Sequence, residues 1–368
     1  MKWRKTVLTF LKLLCLLYLF FFAIEGMGAG FKFFGRGFAE TLIATTANPF
    51  IGLFVGILTT SLVQSSSLTT SILVGMVAAG AIPLRSAIPI VMGANIGTSV
   101  TNTLVSMGHV SRRVEFQRAF GGAILHDMFN VLSVIVLLPL ELTTHYLEFL
   151  ATKTEQLFEG MGGVQAISPL KASVKPLVTF LLDLAKGILP FPGPGIAMLI
   201  ISLGILFLTL SMMVRTLRGI MLSRVENILD RFLLRWPLLT ILLGMMVTAV
   251  VQSSSITTSL VVPLIAGGLF SLEAVFPFML GANVGTTVTA LMASLVTKQP
   301  SAIIVALTHL YFNLSGIIIF YPLKAIPITL SRGLGWLAFK NKVYPILYIL
   351  MVFFIIPLIL ILFFSGGR

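Results

Sequence analysis

The pentapeptide VQSSS occupies residues 63–67 and returns letter for letter at 251–255. Each copy interrupts an apolar run and continues through an aliphatic residue into Thr-Thr-Ser, giving QSSSLTTS at 64–71 and QSSSITTS at 252–259. Outward from these blocks, residues 64–101 align with 252–289 at a constant offset of 188, and half of the paired positions are identical. GANIGTSVT at 93–101 answers GANVGTTVT at 281–289. LHDMFN at 125–130 answers THLYFN at 308–313, now offset by 183. Three ordered matches define a duplicated unit, with one repeat over 41–140 and the other over 236–322. An N-terminal segment (1–40) precedes them. A connecting region (141–235) separates them, and a C-terminal segment (323–368) follows.

The chain has 368 residues, of which 57% are hydrophobic and 10% charged, and its mean hydropathy is +1.05. Soluble domains carry about a quarter charged residues, so this composition reads as an integral membrane protein. A net charge of +13 would point to nucleic acid in a soluble chain. In a membrane chain it marks cytoplasmic loops instead, and no nucleic-acid partner is expected. The single cysteine, Cys15, lies in the first apolar run. It has no internal disulfide partner, and packing is its expected role. The run after MKWRK is near 20 residues, longer than a signal-peptide core, and is read as a first transmembrane helix.

Charge then threads the repeats. The apolar arms around the first QSSS are each about 14 residues and span roughly 21 Å as helix, short of the ~30 Å hydrocarbon core. Either 49–82 crosses as one broken helix, or it is re-entrant with QSSS at its tip. With MKWRK inside, a crossing would leave Arg112, Arg113 and Arg118 outside, whereas a re-entrant hairpin puts them inside. The re-entrant choice sends 119–138 outward and makes 141–190 an external connection. Helix 194–213 then returns, and Arg215, Arg218, Arg224, Arg231 and Arg235 form a cytoplasmic linker. The second hairpin (237–271) enters from the inside, 275–296 exits to an external Lys298, and 302–321 returns. Lys324, Arg332, Lys340 and Lys342 are inside, and 344–364 carries the C-terminus out. The two repeats thereby acquire opposite orientations, as in secondary transporters with interrupted spans. The expected fold is all-α and polytopic, with two inverted-topology repeats that each hold a re-entrant hairpin with a QSSS tip and a broken transmembrane helix.

Irregular backbone at membrane depth must be satisfied by protein or by a water-filled cavity. Hydroxyls and a Gln carbonyl can coordinate sodium. Hydroxyls, amides and free backbone N–H groups can hold an oxyanion. Helix packing alone explains isolated Ser and Gly, but it does not call for the same Gln-Ser-Ser-Ser block twice. Gly93, Gly97, Gly281 and Gly285 permit a mid-span break or close backbone approach. Within the hairpin arms and the spans 88–108 and 275–296 there is no Lys, Arg, Asp or Glu beyond the turn residues Arg85 and Glu273. Helix 119–138 adds Asp127, and an intramembrane carboxylate is a functional candidate. An anion would find no fixed positive side chain there and would need accompanying cations, which points to an anion–cation symporter.

QSSSLTTSILVGMV, IPIVMGANIGTSVTNTLVSM, EFQRAFGGAILHDMFNVLSVIVLLPLE and QSSSITTSLVVPLIAGG resemble the type II sodium-phosphate cotransporter family over about residues 40–360. The resemblance implies inward transport of inorganic phosphate with sodium through an inverted-repeat core. It implies one sodium site at Gln252, Ser253, Thr286, Thr289 and Ser67. Pseudo-symmetry adds a partner site at Gln64, Ser65, Thr98, Thr101 and Ser255. Phosphate would lie between the tips at Ser65, Ser66, Ser67, Ser253, Ser254 and Ser255, with Asn95 and Asn283 of the GAN blocks as further candidates. Electrogenic members carry Ala-x-Ala-x-x-x-Asp before Phe-Asn, the Asp serving an additional sodium. Here Gly121, Ala123 and Asp127 stand in that frame, and electrogenic transport of three sodium ions with divalent phosphate is expected. Sodium is cargo, and no resident cofactor is implied. One chain carries both halves of the site, so a single chain is the expected functional unit. Residues 141–190 lack Asn-x-Ser/Thr and Cys, and the extra final helix of animal members is missing. Both features fit a bacterial inner-membrane protein. Two rival readings are a membrane hydrolase using Ser, His126, Asp127 and His309, and a sodium channel without phosphate coupling. A symporter of another small oxyanion is the nearer alternative.

Overall fold

A computed structural model describes residues 2–34, 46–160, 168–232, 236–297 and 299–365. The described residues are helical, joined by short turns. Among the described residues, six helices are long and apolar enough to cross a membrane: Val7–Phe33, Arg113–Thr144, Gly193–Leu210, Leu272–Thr297, Pro300–Phe320 and Val343–Ser365. The linker positions Arg235 and Lys298, the C-terminal Arg368 and the repeat boundary at 40–41 lie outside the described residues.

Helix α1 (Lys2–Phe33) packs along α9 (Gly193–Phe232). Gly26 meets Met198 and Ser202, and Gly30 meets Leu199. Phe20, Phe22, Ile24 and Met27 are buried there with Leu206 and Leu210. Cys15 is exposed rather than packed, because the buried stripe of α1 runs through Leu16, Phe20, Ala23 and Met27 and leaves position 15 on the other face.

Each repeat begins with two short helices meeting at QSSS. In the first these are α2 (Pro49–Val63) and α3 (Ser66–Ala78), followed by α4 (Leu84–Gly97) and α5 (Val100–Ser106). In the second they are α10 (Pro237–Val251) and α11 (Ser254–Ser259), continued by α12 (Val262–Ala266) and the long α13 (Leu272–Thr297). Helices α2 and α4 run parallel: Gly52 lies against Pro89, Gly56 against Ile90 and Ala94, and Gly97 against Ile57 and Ser61. Helices α10 and α13 repeat this at the 188 offset, with Gly244 against Phe278 and Ala282 and Gly285 against Met245 and Ala249. A parallel pair requires the segment that joins it, α3 in the first repeat and α11 with α12 in the second, to run back, so each helix–QSSS–helix segment is a hairpin. The return is closed by Gly80 (φ +74) and Gly268 (φ +77). Each is flanked by the paired carbonyl bonds of a Schellman cap: Ala81 N to Met76 O with Gly80 N to Val77 O, and Leu269 N to Leu264 O with Gly268 N to Ile265 O.

Helices α6 (Arg113–Thr144) and α14 (Pro300–Phe320) carry the His-x-x-Phe-Asn motifs. They meet where the Phe129 ring packs on Phe320 and Ser133 packs on Gly316. Sequence expectations change in three places. The span 88–108 does break, at Thr98–Ser99 between α4 and α5, but its counterpart 275–296, expected to break likewise, lies in the continuous α13, where Gly281 and Gly285 serve close packing on α10 instead of a break. The connection 141–190 is largely helical: α6 runs on to Thr144, and α7 (Tyr146–Gly160) and α8 (Ser168–Ile188) follow. The basic linker after 213 continues α9 as helix to Phe232. Its Arg, Leu and Glu residues are good helix formers, which a reading by charge alone overlooks. A helix that the sequence pattern did not announce, α15 (Ala325–Lys340), lies on α6, with Gly335 against Gln117 and Gly121. The chain ends in α16 (Val343–Ser365).

Candidate functional site

At each tip the chain leaves one helix and enters the next with the same local geometry. Gln64 (φ 56, ψ 30) and Gln252 (φ 57, ψ 26) end α2 and α10 in the left-handed region. Their amides bond Thr60 O and Thr248 O. The next residue is extended and caps the following helix. Ser65 Oγ accepts from Leu68 N at 3.2 Å, and Ser253 Oγ accepts from Ile256 N at 3.3 Å. The polar block is therefore a cap-to-cap joint: Gln closes a carbonyl end, and Ser opens an amide end. A non-glycine residue in the left-handed region is uncommon. Besides the two glutamines, only His145 among the described residues shows one. Such outliers persist where the surroundings over-determine them.

The two tips face one another. Ser67 Oγ donates to Gln252 O at 3.0 Å, and Ser255 Oγ donates to Thr98 O at 3.4 Å. Between them is a cavity of about 190 Å³ lined by Gln64, Ser65, Ser67 and Thr101 from one repeat and Gln252, Ser253 and Ser255 from the other. Val63, Leu68 and Ile256 complete the wall, and α9 closes it with Phe207 and Leu210. Among the described residues, no charged side chain lines it. Hydroxyls, two amide side chains and helix ends are the polar groups they supply, a set that can hold either sodium or an oxyanion.

Other expected residues stand around rather than in this space. Ser66 and Ser254 are buried in the first turns of α3 and α11. Thr98 and Thr286 donate back to Ala94 O (2.8 Å) and Ala282 O (3.0 Å), which leaves their oxygen lone pairs free to accept. Of the equivalent pair, Thr101 is half-buried and Thr289 buried, and both hydroxyl oxygens are closed off from solvent without a partner among the described residues. Gln252 Nε2 reaches the Met292 sulfur at 3.6 Å, a weak acceptor.

Asn95 and Asn283 are placed away from the cavity. Asn283 Nδ2 donates to Asn130 Oδ1 at 2.9 Å, and its Oδ1 accepts from His126 Nε2. Asn95 Oδ1 accepts from His309 Nε2 at 3.1 Å and from Asn313 Nδ2 at 3.5 Å. Each GAN asparagine thus binds the His-x-x-Phe-Asn motif of the other repeat. His126 and His309, considered above as catalytic candidates, are buried members of this lock. Ser99 Oγ pairs with His126 Nδ1 at 2.9 Å, and the far side of that ring is held by Asn283.

Asp127 is fully buried. Its Oδ2 accepts from Tyr348 of α16, and its Oδ1 has no partner. Sequence reasoning missed Tyr348, because α16 lies outside both repeats and its one hydroxyl facing the core is not distinguished by spacing. It also missed Asn102, which donates to Thr258 Oγ1 at 2.7 Å and accepts from Ser259 Oγ at 2.9 Å, tying α5 to the second tip.

Against this geometry, the family model described as Na+/Pi-cotransporter matches residues 19–161 and 205–316. The chain belongs to the Na+/Pi-cotransporter family. It is 33% identical to sodium-dependent phosphate transport protein 2B of Pongo abelii, over 94% of this chain and 64% of that protein. It is 34% identical to sodium-dependent phosphate transport protein 2A of Ovis aries, over 97% of this chain and 68% of that protein. The mouse 2A protein is 35% identical over 94% of this chain and 66% of its own length. The chain therefore spans about two thirds of the length of these family members. No solved structure matches it.

Proposed function

We propose that this protein is a secondary transporter that carries inorganic phosphate inward with sodium, the ions meeting in the cavity between the two QSSS tips. The observation that carries the reading is the shared cavity itself. Equivalent Gln and Ser residues of both repeats line one uncharged polar space, as a site for a co-transported ion pair requires. Phosphate sits among Ser65, Ser67, Ser253 and Ser255, with Ser66 and Ser254 contributing first-turn amides. One sodium is held by Gln252, Ser253, Thr286, Thr289 and Ser67, and a second by Gln64, Ser65, Thr98, Thr101 and Ser255. The unpartnered hydroxyls of Thr101 and Thr289 support both assignments, since a buried hydroxyl without a partner costs about 1–3 kcal/mol. The third sodium binds at Asp127, whose free Oδ1 supports electrogenic transport.

The protein spans the cell membrane, a bacterial inner membrane on this reading, with re-entrant hairpins and opposed repeats. The N-terminus is cytoplasmic and the C-terminus external. Three features support the threading. The hairpins return on themselves. One cavity gathers Glu25, Lys32, Gly75, Lys175 and Gln299, all assigned outside, and another gathers Arg118, Gly268 and Arg332, all assigned inside. The equivalent helices α6 and α14 are antiparallel at Phe129–Phe320 and Ser133–Gly316.

Uptake of radiolabelled phosphate into proteoliposomes, with and without an inward sodium gradient, tests the reading. Uptake independent of sodium, or sodium flux without phosphate, would defeat it, and competition by arsenate or sulfate sets the oxyanion range. In cells, single cysteines at Lys175 and Arg368 should label from outside, and one at Arg224 should not.

A further inference from the structure

A second polar cavity, of about 420 Å³, lies away from the tips. It opens beside α6, the end of the second hairpin and α15, at the end that the proposed threading turns to the cytoplasm. Gln117, Arg118, Gly121, Gly268, Ser271 and Arg332 line it. The charges facing it are not balanced. Arg332 is paired with Glu273. The other nearby carboxylate, Glu115, is taken by Arg112 at 2.8 Å and faces His109 at 3.5 Å. Arg118 makes no hydrogen bond or ion pair among the described residues. Its guanidinium lies over Gly268, where a Cβ would come within 2.5 Å of a guanidinium nitrogen. Gly268 is needed there for its φ of +77, and its lack of a side chain is also what keeps that nitrogen uncovered. Ser271 keeps an O–H to donate while its oxygen accepts from Ala274 N at 3.3 Å. Gln117 adds an amide.

We propose that this cavity binds a phosphate group, with Arg118 as its anchor. Guanidinium presents paired donors that match a phosphate face, and it is the side chain most used for that purpose. A positive, partly walled cavity also raises the local concentration of such an anion. Two sources share this chemistry: free inorganic phosphate leaving the transport cavity, and the headgroup of an anionic lipid at the cytoplasmic surface. The first source rests on the transport reading, and the second does not.

The test uses purified full-length protein in uncharged detergent and sodium-free buffer, which leaves the sodium-coupled site unloaded. Phosphorus-31 line broadening is followed with inorganic phosphate as one probe and short-chain phosphatidylglycerol as the other. Saturable broadening of at least one probe is expected, weakened at least tenfold by Arg118→Gln and less severely by Arg118→Lys, which keeps the charge but loses the paired donors. Broadening of inorganic phosphate identifies free phosphate as the occupant, and broadening of phosphatidylglycerol alone identifies the lipid. If neither probe responds to Arg118→Gln, the proposal is overturned. The same preparation, reconstituted and assayed for sodium-driven uptake, reports separately on the transport reading.

Discussion

The two repeats share their backbone geometry but not their charge. Gln64 and Gln252 adopt nearly the same left-handed conformation, and Ser65 and Ser253 cap in the same way. The helix pairs α2/α4 and α10/α13 touch through glycines at the same offset. Away from the tips the copies diverge. The GAN helix of the first repeat breaks after Gly97, whereas α13 runs unbroken. Asp127 stands in the first repeat where Leu310 stands in the second, and only Asp127 is reached by Tyr348. Duplication thus preserved the backbone joints and hydroxyls from which the proposed ion site is built. A fixed negative charge is present on one side only, and asymmetry of this kind is needed if two similar sites are to hold three cations.

The strongest way to break the comparison is to remove what the halves share. A Cβ at Gly93 would run into the carbonyl oxygen of Leu53, and one at Gly281 into that of Ile241. Backbone cannot step aside as a flexible side chain can. Gly93→Ala and Gly281→Ala should each separate a hairpin from its neighbour and cost several kcal/mol, at the severe end for single changes. Folded yield in detergent size-exclusion chromatography should fall steeply for both. A normal yield for one alone would show that only the other half needs the close approach.

The tips come next. Gln252→Ala and Gln64→Ala should each abolish sodium-coupled uptake at matched expression. Each removes a ligand from a dehydrated site and leaves alanine in a left-handed backbone that disfavours it by about 1–2 kcal/mol. Gln252→Gly and Gln64→Gly separate the two causes, because glycine tolerates the conformation. If the side chain is a ligand, the glycine variants fold better than the alanine variants and still fail to transport. Uptake restored by glycine would reduce both glutamines to turn residues.

How much of this was legible in the sequence follows from what repeats. The hairpins, their tips and the close-packed glycines were readable because two copies of one solution stand in one chain, each with QSSS and GAN-x-GT. The same repetition is what put Thr101 and Thr289 among the candidates. Tyr348, Phe207 and Leu210 were not, since they come from helices present once, and only folding brings them near the repeats. Nor was the role of Asn95 and Asn283 legible. Both are polar residues in a glycine-rich span, and their partners lie 214 and 157 residues away. Charge signalled a linker at 215–235 but said nothing about its helicity, because charge places a segment relative to the membrane and propensity decides its backbone.

The charge difference between the repeats sets the third prediction. Three sodium ions with divalent phosphate carry one net positive charge, worth about 2.3 kcal/mol per 100 mV of inside-negative potential. Asp127→Gly should remove one sodium and leave an electroneutral cargo. Uptake should continue without current and with less concentrating power. Acceleration of the variant by an imposed inside-negative potential in proteoliposomes would sink the assignment. Simple loss of folded protein would mark Asp127 as a packing carboxylate.

The smallest expected effect compares the two halves of the asparagine lock. Asn283 gives Nδ2 to Asn130, so its Oδ1 must accept from His126 Nε2–H, and His126 Nδ1 is then free to accept from Ser99 Oγ. Asn283→Ala therefore leaves two buried groups unpaired, Asn130 Oδ1 and His126 Nε2–H. On the other side, Asn95 accepts from His309 at 3.1 Å and only distantly from Asn313 at 3.5 Å. Asn313 Nδ2 keeps a second bond to His309 O at 3.0 Å. Asn95→Ala leaves one group, His309 Nε2–H, wholly unpaired. Each orphaned buried group costs about 1–3 kcal/mol, so Asn283→Ala should be the more destabilising change by roughly one such group. Thermal unfolding of the two variants in the same detergent measures this, the Asn283 variant melting first. Equal shifts would mean that the lock is symmetric in energy despite its geometry, and that the difference between the halves lies in Asp127 and in the break after Gly97.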